Sequence, residues 1–243
     1  MSKESALQKI GNAYDKNPII RALIQIAMSP IPYGIGGAID ATLTAKIQQM
    51  REKRLRTFFD ELAAGSHALT ESLIQEEDFL HAYFATLKAA VNTQRSEKIK
   101  LFARLLYNAS REQRLSDDAY EEYLSVLEAL STRELHILLI LKEFEDSHPH
   151  QLKSDGSSEM ENDLQRASRF WGSFELDIEA RYCIDRDRLA AILVRLNRTG
   201  LYETFTGGFL DYTGGVGKLT TMFDEFVHWI QATADDLAPA NHA

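Results

Sequence analysis

Cysteine occurs once in this chain, at Cys183, so neither an internal disulfide nor a thiolate zinc cluster can be built. A reducing compartment fits that usage. Between Tyr182 and Ile184, Cys183 reads as a small buried hydrophobe rather than a reactive thiol. Proline is sparse as well: five in 243 residues leave room for long helices. Positive charge is the minority sign, with 27 Lys and Arg against 36 Asp and Glu and a net charge of -9. That balance speaks against tight non-specific binding to nucleic acid, although it leaves room for a local basic patch. Residues 1–15 are polar and mixed in charge and carry no secretory signal. The cytoplasm is therefore the expected location, with peripheral attachment at the inner membrane as a variant of it.

The signatures of catalysis are missing too. Gly214-Gly215-Val216-Gly217-Lys218-Leu219-Thr220 resembles a phosphate loop in composition only. It lacks the spacing from glycine to Gly-Lys, and it leads into a strand instead of following one into a helix. There is no His-Glu-x-x-His pair and no Gly-x-Ser-x-Gly elbow. Glu76 and Glu77, like Asp117 and Asp118, are adjacent, and adjacent residues on a helix point apart, so these are caps and surface charges. His148-Pro149-His150 has no carboxylate or cysteine at ligand spacing on regular structure and reads as a solvated loop. His228, among Phe226, Val227 and Trp229, reads as structural. The chain is expected not to be an enzyme and to need no cofactor and no metal.

What the sequence does hold is helical periodicity, and the fold expected is mainly α. Residues 1–130 read as a helical domain and 131–243 as a second domain. In the first, Ile47, Met50, Leu55, Phe58, Phe59 and Leu62 recur at helix spacing from Thr44 to a stop at Gly65. Glu71–Ile74 is a short helical piece. Glu76–Val91 follows, with Phe79, Leu80, Tyr83, Phe84 and Leu87 inside. A helix then opens at Ser96-Glu97 and carries Ile99, Phe102, Ala103, Leu105 and Leu106. Another starts at Ser116-Asp117-Asp118 and carries Tyr120, Tyr123, Leu124 and Leu127. Ser131 and Glu134 form a capping box for a helix through Leu135, Leu138, Leu141 and Phe144. The polar stretch 146–163 is the best loop in the chain. Leu164–Gly172 and Phe174–Ile184 read as two helical pieces, with a strand as the alternative near Leu176–Ile178.

Residues 17–43 are the most apolar and least regular part. Pro30 and Pro32 break any helix through the middle, and Gly34, Gly36 and Gly37 allow close backbone approach. Spanning a bilayer needs about 20 apolar residues, and Arg21, Gln25 and the two prolines interrupt this stretch. Two short helices joined at Ser29–Tyr33 fit it better. They would pack as a buried hairpin, or associate conditionally with a membrane. Lys46, Arg51, Lys53, Arg54 and Arg56 follow directly, the arrangement an interfacial anchor uses on anionic lipid and also one that a solvated helix face can show. The candidate membrane or partner contacts are therefore Ile31, Pro32, Tyr33, Gly34, Gly36, Gly37, Lys46, Arg51, Lys53 and Arg54.

The second domain reads as a winged helix-turn-helix with a small β-hairpin wing. Asp185 caps a helix with Leu189, Ile192, Leu193 and Leu196 on one face, and Thr199-Gly200 stops it. Leu201–Thr206 is a strand, Gly207-Gly208 a turn, and Phe209–Tyr212 the return. Leu219-Thr220-Thr221 leads into a helix over Phe223–Ile230. In such folds the second helix meets DNA through basic side chains, here Arg186, Arg188, Arg195 and Arg198. Asp185 and Asp187 at its start and a wing without positive charge before Lys218 speak against that use. A protein-binding or structural role is favoured.

The order of these pieces resembles the bacterial abortive-infection alpha (Abi-alpha) type of protein. The likeness rests on Ile31-Pro32-Tyr33-Gly34-Ile35-Gly36-Gly37-Ala38, followed by a charged helix, and on the helix Ser96–Ala109. It continues in the pair Tyr123–Ser131 and Arg133–Leu138, in Leu196-Asn197-Arg198-Thr199-Gly200-Leu201 and in the Leu219-Thr220 strand. It covers most of residues 30–230, and its motifs are architectural. The resemblance implies a non-enzymatic role in defence against phage, by membrane disruption or growth arrest. A protein partner or homo-oligomer is expected. A DNA-binding regulator and an interaction subunit of a larger complex are the alternatives.

Overall fold

The computed structural model describes residues 14, 17–28, 41–65, 69–115, 118–152, 159–205 and 215–238. Among them the fold is mainly helical, with a single two-stranded antiparallel sheet. The chain divides into two compact units. One comprises Met1–Ala129 with Trp229–Gln231, the other Leu130–His228 with Ala232–Ala243.

In the first unit, α1 (Pro18–Met28) and α2 (Ala41–Ala64) are followed by a 3-10 turn at Leu73–Gln75. Then come α3 (Glu77–Asn92), α4 (Ser96–Arg111) and α5 (Asp118–Ala129). The core is built around α4. Ile99, Leu101, Phe102, Ala103, Leu105, Leu106 and Ala109 are all buried, which is more than one helical stripe, so neighbours cover α4 on several sides. α2 brings Phe58, Phe59 and Leu62 to it, and α3 brings Phe79, Tyr83 and Leu87. Burying each such side chain contributes about 1.5–3 kcal/mol. At the end of α2, a Cβ on Gly65 would lie 2.9 Å from the Tyr107 ring, so glycine lets the helix stop against an aromatic of α4. In α1, Ile20, Leu23 and Ile24 are buried, and the Tyr83 hydroxyl donates to the Leu23 carbonyl at 2.7 Å.

The unit is completed from far down the chain. Asn108, fully buried on α4, donates to the Trp229 carbonyl at 2.7 Å and accepts from Gln231 Nε2 at 3.3 Å. The Trp229 indole donates to Glu112 at 2.8 Å and meets Tyr123 edge-on at 5.0 Å, and the Arg114 guanidinium lies 4.9 Å from its ring centre.

Several sequence expectations are modified here. The first of the two short apolar helices is α1. The junction Ser29–Tyr33 lies outside the described residues, as do Ser116 and Asp117. Met50 and Phe84, expected inside, are 45% and 37% exposed, because the apolar stripes of α2 and α3 are narrower than their periodicity suggests.

The second unit holds α6 (Thr132–Ser147), α7 (Asp163–Tyr182), α8 (Arg186–Asn197), β1 (Tyr202–Thr204), β2 (Gly217–Leu219), most of α9 (Thr221–Ile230) and α10 (Ala234–Leu237). Its helix starts are set by side chains. Ser131 with Glu134 and Asn162 with Gln165 form reciprocal capping boxes, and Asp185 accepts the Arg188 amide. α7 is one helix where two pieces were expected, and the alternative strand at Leu176–Ile178 is overturned. Gly172 costs about 1 kcal/mol relative to alanine inside a helix, but Phe170, Trp171, Phe174 and Ile178 are buried around it and carry the helix through. Cys183 is corrected from buried to exposed: it ends α7 in the left-handed region at φ 52 and leaves Ile184 to enter the core. The expected loop 146–163 is shortened, since α6 runs on to Ser147 and Leu152 bridges Met160 antiparallel.

α8 buries Leu189, Ile192, Leu193 and Leu196 as expected, and Gly200 at φ 77 turns the chain into β1. The strand that pairs with β1 is β2, in the register Tyr202 with Leu219, Glu203 with Lys218 and Thr204 with Gly217. The return expected at Phe209–Tyr212 lies outside the described residues.

Candidate functional site

Two helix faces hold the candidate contact residues. The first is the start of α2. A helix turn is 3.6 residues, and the four consecutive residues Gln48, Gln49, Met50 and Arg51 are all exposed, so this turn is exposed on every side. Lys53 and Arg56 continue the exposed cations two and five residues on. Arg54 behaves differently: its guanidinium donates to the Val91 carbonyl at 2.6 Å and is half-buried, so it ties α2 to the end of α3. Near Arg56, the Tyr14 hydroxyl donates to Asp60 at 2.5 Å, and burial together with that carboxylate holds the phenol far above its usual range. Lys46 lies on α2, with its side chain outside the described residues. Ile31, Pro32, Tyr33, Gly34, Gly36 and Gly37 lie outside them altogether.

The second face is on α8. Its exposed side carries Asp187, Arg188, Ala191, Val194, Arg195 and Arg198, with Val194 41% exposed. The four candidate arginines divide. Arg186 donates to Glu175 on α7 at 2.9 Å. Arg195 is ion-paired with Glu134, whose other oxygen accepts the Ser131 amide at 2.9 Å. Glu134 is 3% exposed, so Arg195 is the counter-charge of a buried carboxylate. Arg188 and Arg198 are exposed and make no ion pair within the described residues. Lys218, the first cation after the wing, is bound by Asp163 at 2.7 Å, with Glu203 at 3.8 Å. The pairing pulls the Asp163 carboxyl down and pushes the Lys218 ammonium up. Glu145 accepts the Leu219 amide at 3.0 Å. Its burial raises its pKa against the pull of that amide and of Arg166. The β2 strand is thus fastened to α6 and α7 by polar groups that the sequence leaves unmarked, because their partners are 55 to 74 residues away.

A hollow of about 420 Å³ in the first unit is lined, among the described residues, by Thr70, Ser72, Glu76, Asp78, Arg111 and Gln113 and by no histidine or cysteine of that set. Among the described residues no group of three or more His, Cys, Asp or Glu is placed to hold a metal ion. None of the described helices is long and apolar enough to cross a membrane. His148 and His150 are separately engaged, His148 with the Phe144 carbonyl at 2.8 Å and His150 with Asp163 at 3.2 Å.

One residue was not singled out by its sequence pattern. His136, within the apolar run Leu135–Leu141, is fully buried on α6 and hydrogen-bonded through Nδ1 to the Tyr182 hydroxyl. A histidine inside an unbroken apolar run was the available signal.

No family model, curated protein or solved structure matches the chain.

Proposed function

We propose that this is a non-enzymatic interaction protein whose N-terminal region binds an anionic membrane surface, in the manner of an abortive-infection defence effector. The defence role follows the resemblance to the Abi-alpha type. The observation that carries the membrane reading is the exposed turn Gln48–Arg51 of α2, with Met50 uncovered and Arg51, Lys53 and Arg56 exposed beside it. An amphipathic element binds anionic lipid by combining buried apolar area with attraction of its cations. This turn offers both, a few residues after the apolar glycine-proline stretch. In this reading the interaction is peripheral: α2 has the length of a span, but its charges suit a surface better than a crossing.

The second unit is, in this reading, a winged helix-turn-helix used as a scaffold or sensor. α7, the three-residue turn Cys183-Ile184-Asp185, α8 and the β1–β2 pair have the order that such a module needs. DNA binding is disfavoured. Arg186, Arg195 and Lys218 are spent on Glu175, Glu134 and Asp163, and Asp185 and Asp187 stand at the helix start that would enter a groove.

Flotation of the full chain with vesicles tests the reading. Recovery with vesicles rich in anionic lipid, and not with zwitterionic ones, is the expected result. Absence from both fractions at low salt overturns it.

A further inference from the structure

The geometry points to an acid-sensitive latch: a second proton on His136 releases the C-terminal helix α10 from α6. This lies beyond the membrane reading and does not depend on it.

The His136 ring is fully buried. Its Nδ1 shares a hydrogen bond with the Tyr182 hydroxyl at the end of α7, and the two rings meet edge to face at 5.7 Å. Its Nε2 is buried with no hydrogen-bond partner within the described residues. A neutral imidazole has one donor and one acceptor nitrogen, so the Tyr182 hydroxyl can serve one of them at the cost of a single orphan atom. An imidazolium has two donors and a full charge. In the closed packing one N–H then meets no acceptor among the described residues, which costs far more than a neutral orphan.

Charged groups of two other helices act on the ring. α7 contributes Asp177 and Arg181, and α10 contributes Asp235. On the histidine's own helix, Arg133 lies near Tyr182 and Glu143 near Arg181. Burial first, and then Arg181, hold the ring below the usual histidine range, while Asp177 and Asp235 pull the other way. Asp177 is already engaged by Arg181 at 2.8 Å. The route by which the charged ring gains water or a carboxylate is therefore movement of a neighbour.

The cheapest neighbour to move is α10. It is four residues long, packs on α6, buries Ala234 and Leu237, and is held at its start by the Thr233–Asp236 capping box. α7, by contrast, is a twenty-residue helix with five buried side chains. Local opening begins where few buried contacts are lost.

Linkage fixes the direction. A group neutral in the folded state, with its folded pKa lowered, contributes stability that is present above the unfolded value of about 6.5 and is lost as pH falls from there through the folded value. Opening of α10 therefore belongs to the acid side of neutrality.

Amide hydrogen exchange on the full chain, corrected for the intrinsic effect of pH on exchange, tests the latch. Between pH 7.5 and pH 5.5, protection of residues 232–238 is expected to fall by up to about tenfold, the limit for one proton linked to opening. Leu101–Leu106 of α4 should stay unchanged. In His136→Phe the pH dependence of 232–238 should vanish. Unchanged wild-type protection, or a dependence that survives in the variant, overturns the latch. If His136→Phe does not fold, NMR titration of the wild-type His136 ring decides. A midpoint coinciding with the exchange transition supports the latch, and a ring that titrates without any change at 232–238 overturns it. Acid effects entering through Glu145 would be read at the Leu219 amide instead, which keeps the two sites apart.

Discussion

Glu134 and Arg195 form an ion pair in which the carboxylate is buried and the guanidinium is largely exposed. The same carboxylate closes the capping box at the start of α6. One acid thus fixes a helix start and takes up a cation of the α8 face. That dual use is why Arg195 counts here as part of the second unit's stability.

Removing the cation leaves the carboxylate buried without its counter-charge. Because the Arg195 side chain is 62% exposed, water replaces part of what is lost. Arg195→Ala should destabilise the protein by about 1–2 kcal/mol, while Arg188→Ala, on the same face without an ion pair, should change stability by less than about 0.5 kcal/mol. Urea denaturation of both variants checks this, and equal effects would contradict the assigned role of Arg195.

Trp229 should be the most costly truncation in the first unit. It is 1% exposed, its indole donates to Glu112, and its ring meets Tyr123 and the Arg114 guanidinium. Trp229→Ala is expected to cost about 3–5 kcal/mol and Trp229→Phe clearly less, since the aromatic body is kept. Chemical denaturation followed by far-ultraviolet circular dichroism measures both.

Asp163 and Lys218 give a pH prediction with a definite sign. The Lys218 ammonium holds the Asp163 carboxyl below its usual value. The pair therefore contributes stability that is present above about pH 3.9 and is lost as pH falls through the lower folded value. Both groups are about a third exposed, so the contribution is small, below about 1 kcal/mol. Asp163→Asn should remove that amount at pH 7 and little at pH 2.5, as read from denaturation midpoints at the two pH values.

The helices of the second unit were legible because their signals are local. Ser131-Thr132-Arg133-Glu134 carries its own cap, Asp185 sits before a clean apolar stripe, and Gly200 follows the last buried leucine of α8. Cys183 and Gly172 misled for the converse reason. An apolar neighbourhood in sequence does not reveal which residue takes the left-handed helix end. A glycine's modest cost does not reveal the aromatic packing that overrides it. Of the candidate contacts, Arg51 and Lys53 are exposed. Arg54, Arg186 and Arg195 were assigned from charge alone, and their acceptors, Val91, Glu175 and Glu134, come from other helices. Pairing across helices leaves no periodicity to read.

The proposal that α2 meets an anionic surface is tested most directly by the vesicle affinity of the full chain carrying Arg51→Gln, Lys53→Gln and Arg56→Gln together. Each cation near such a surface contributes about 1 kcal/mol, so three neutralisations should weaken binding about a hundredfold at low salt. All three side chains are exposed, so folding should be retained. A loss of that order on anionic vesicles, with wild-type binding that falls as salt rises, is the predicted result. Equal binding by both proteins, or no binding by the wild type, would contradict it.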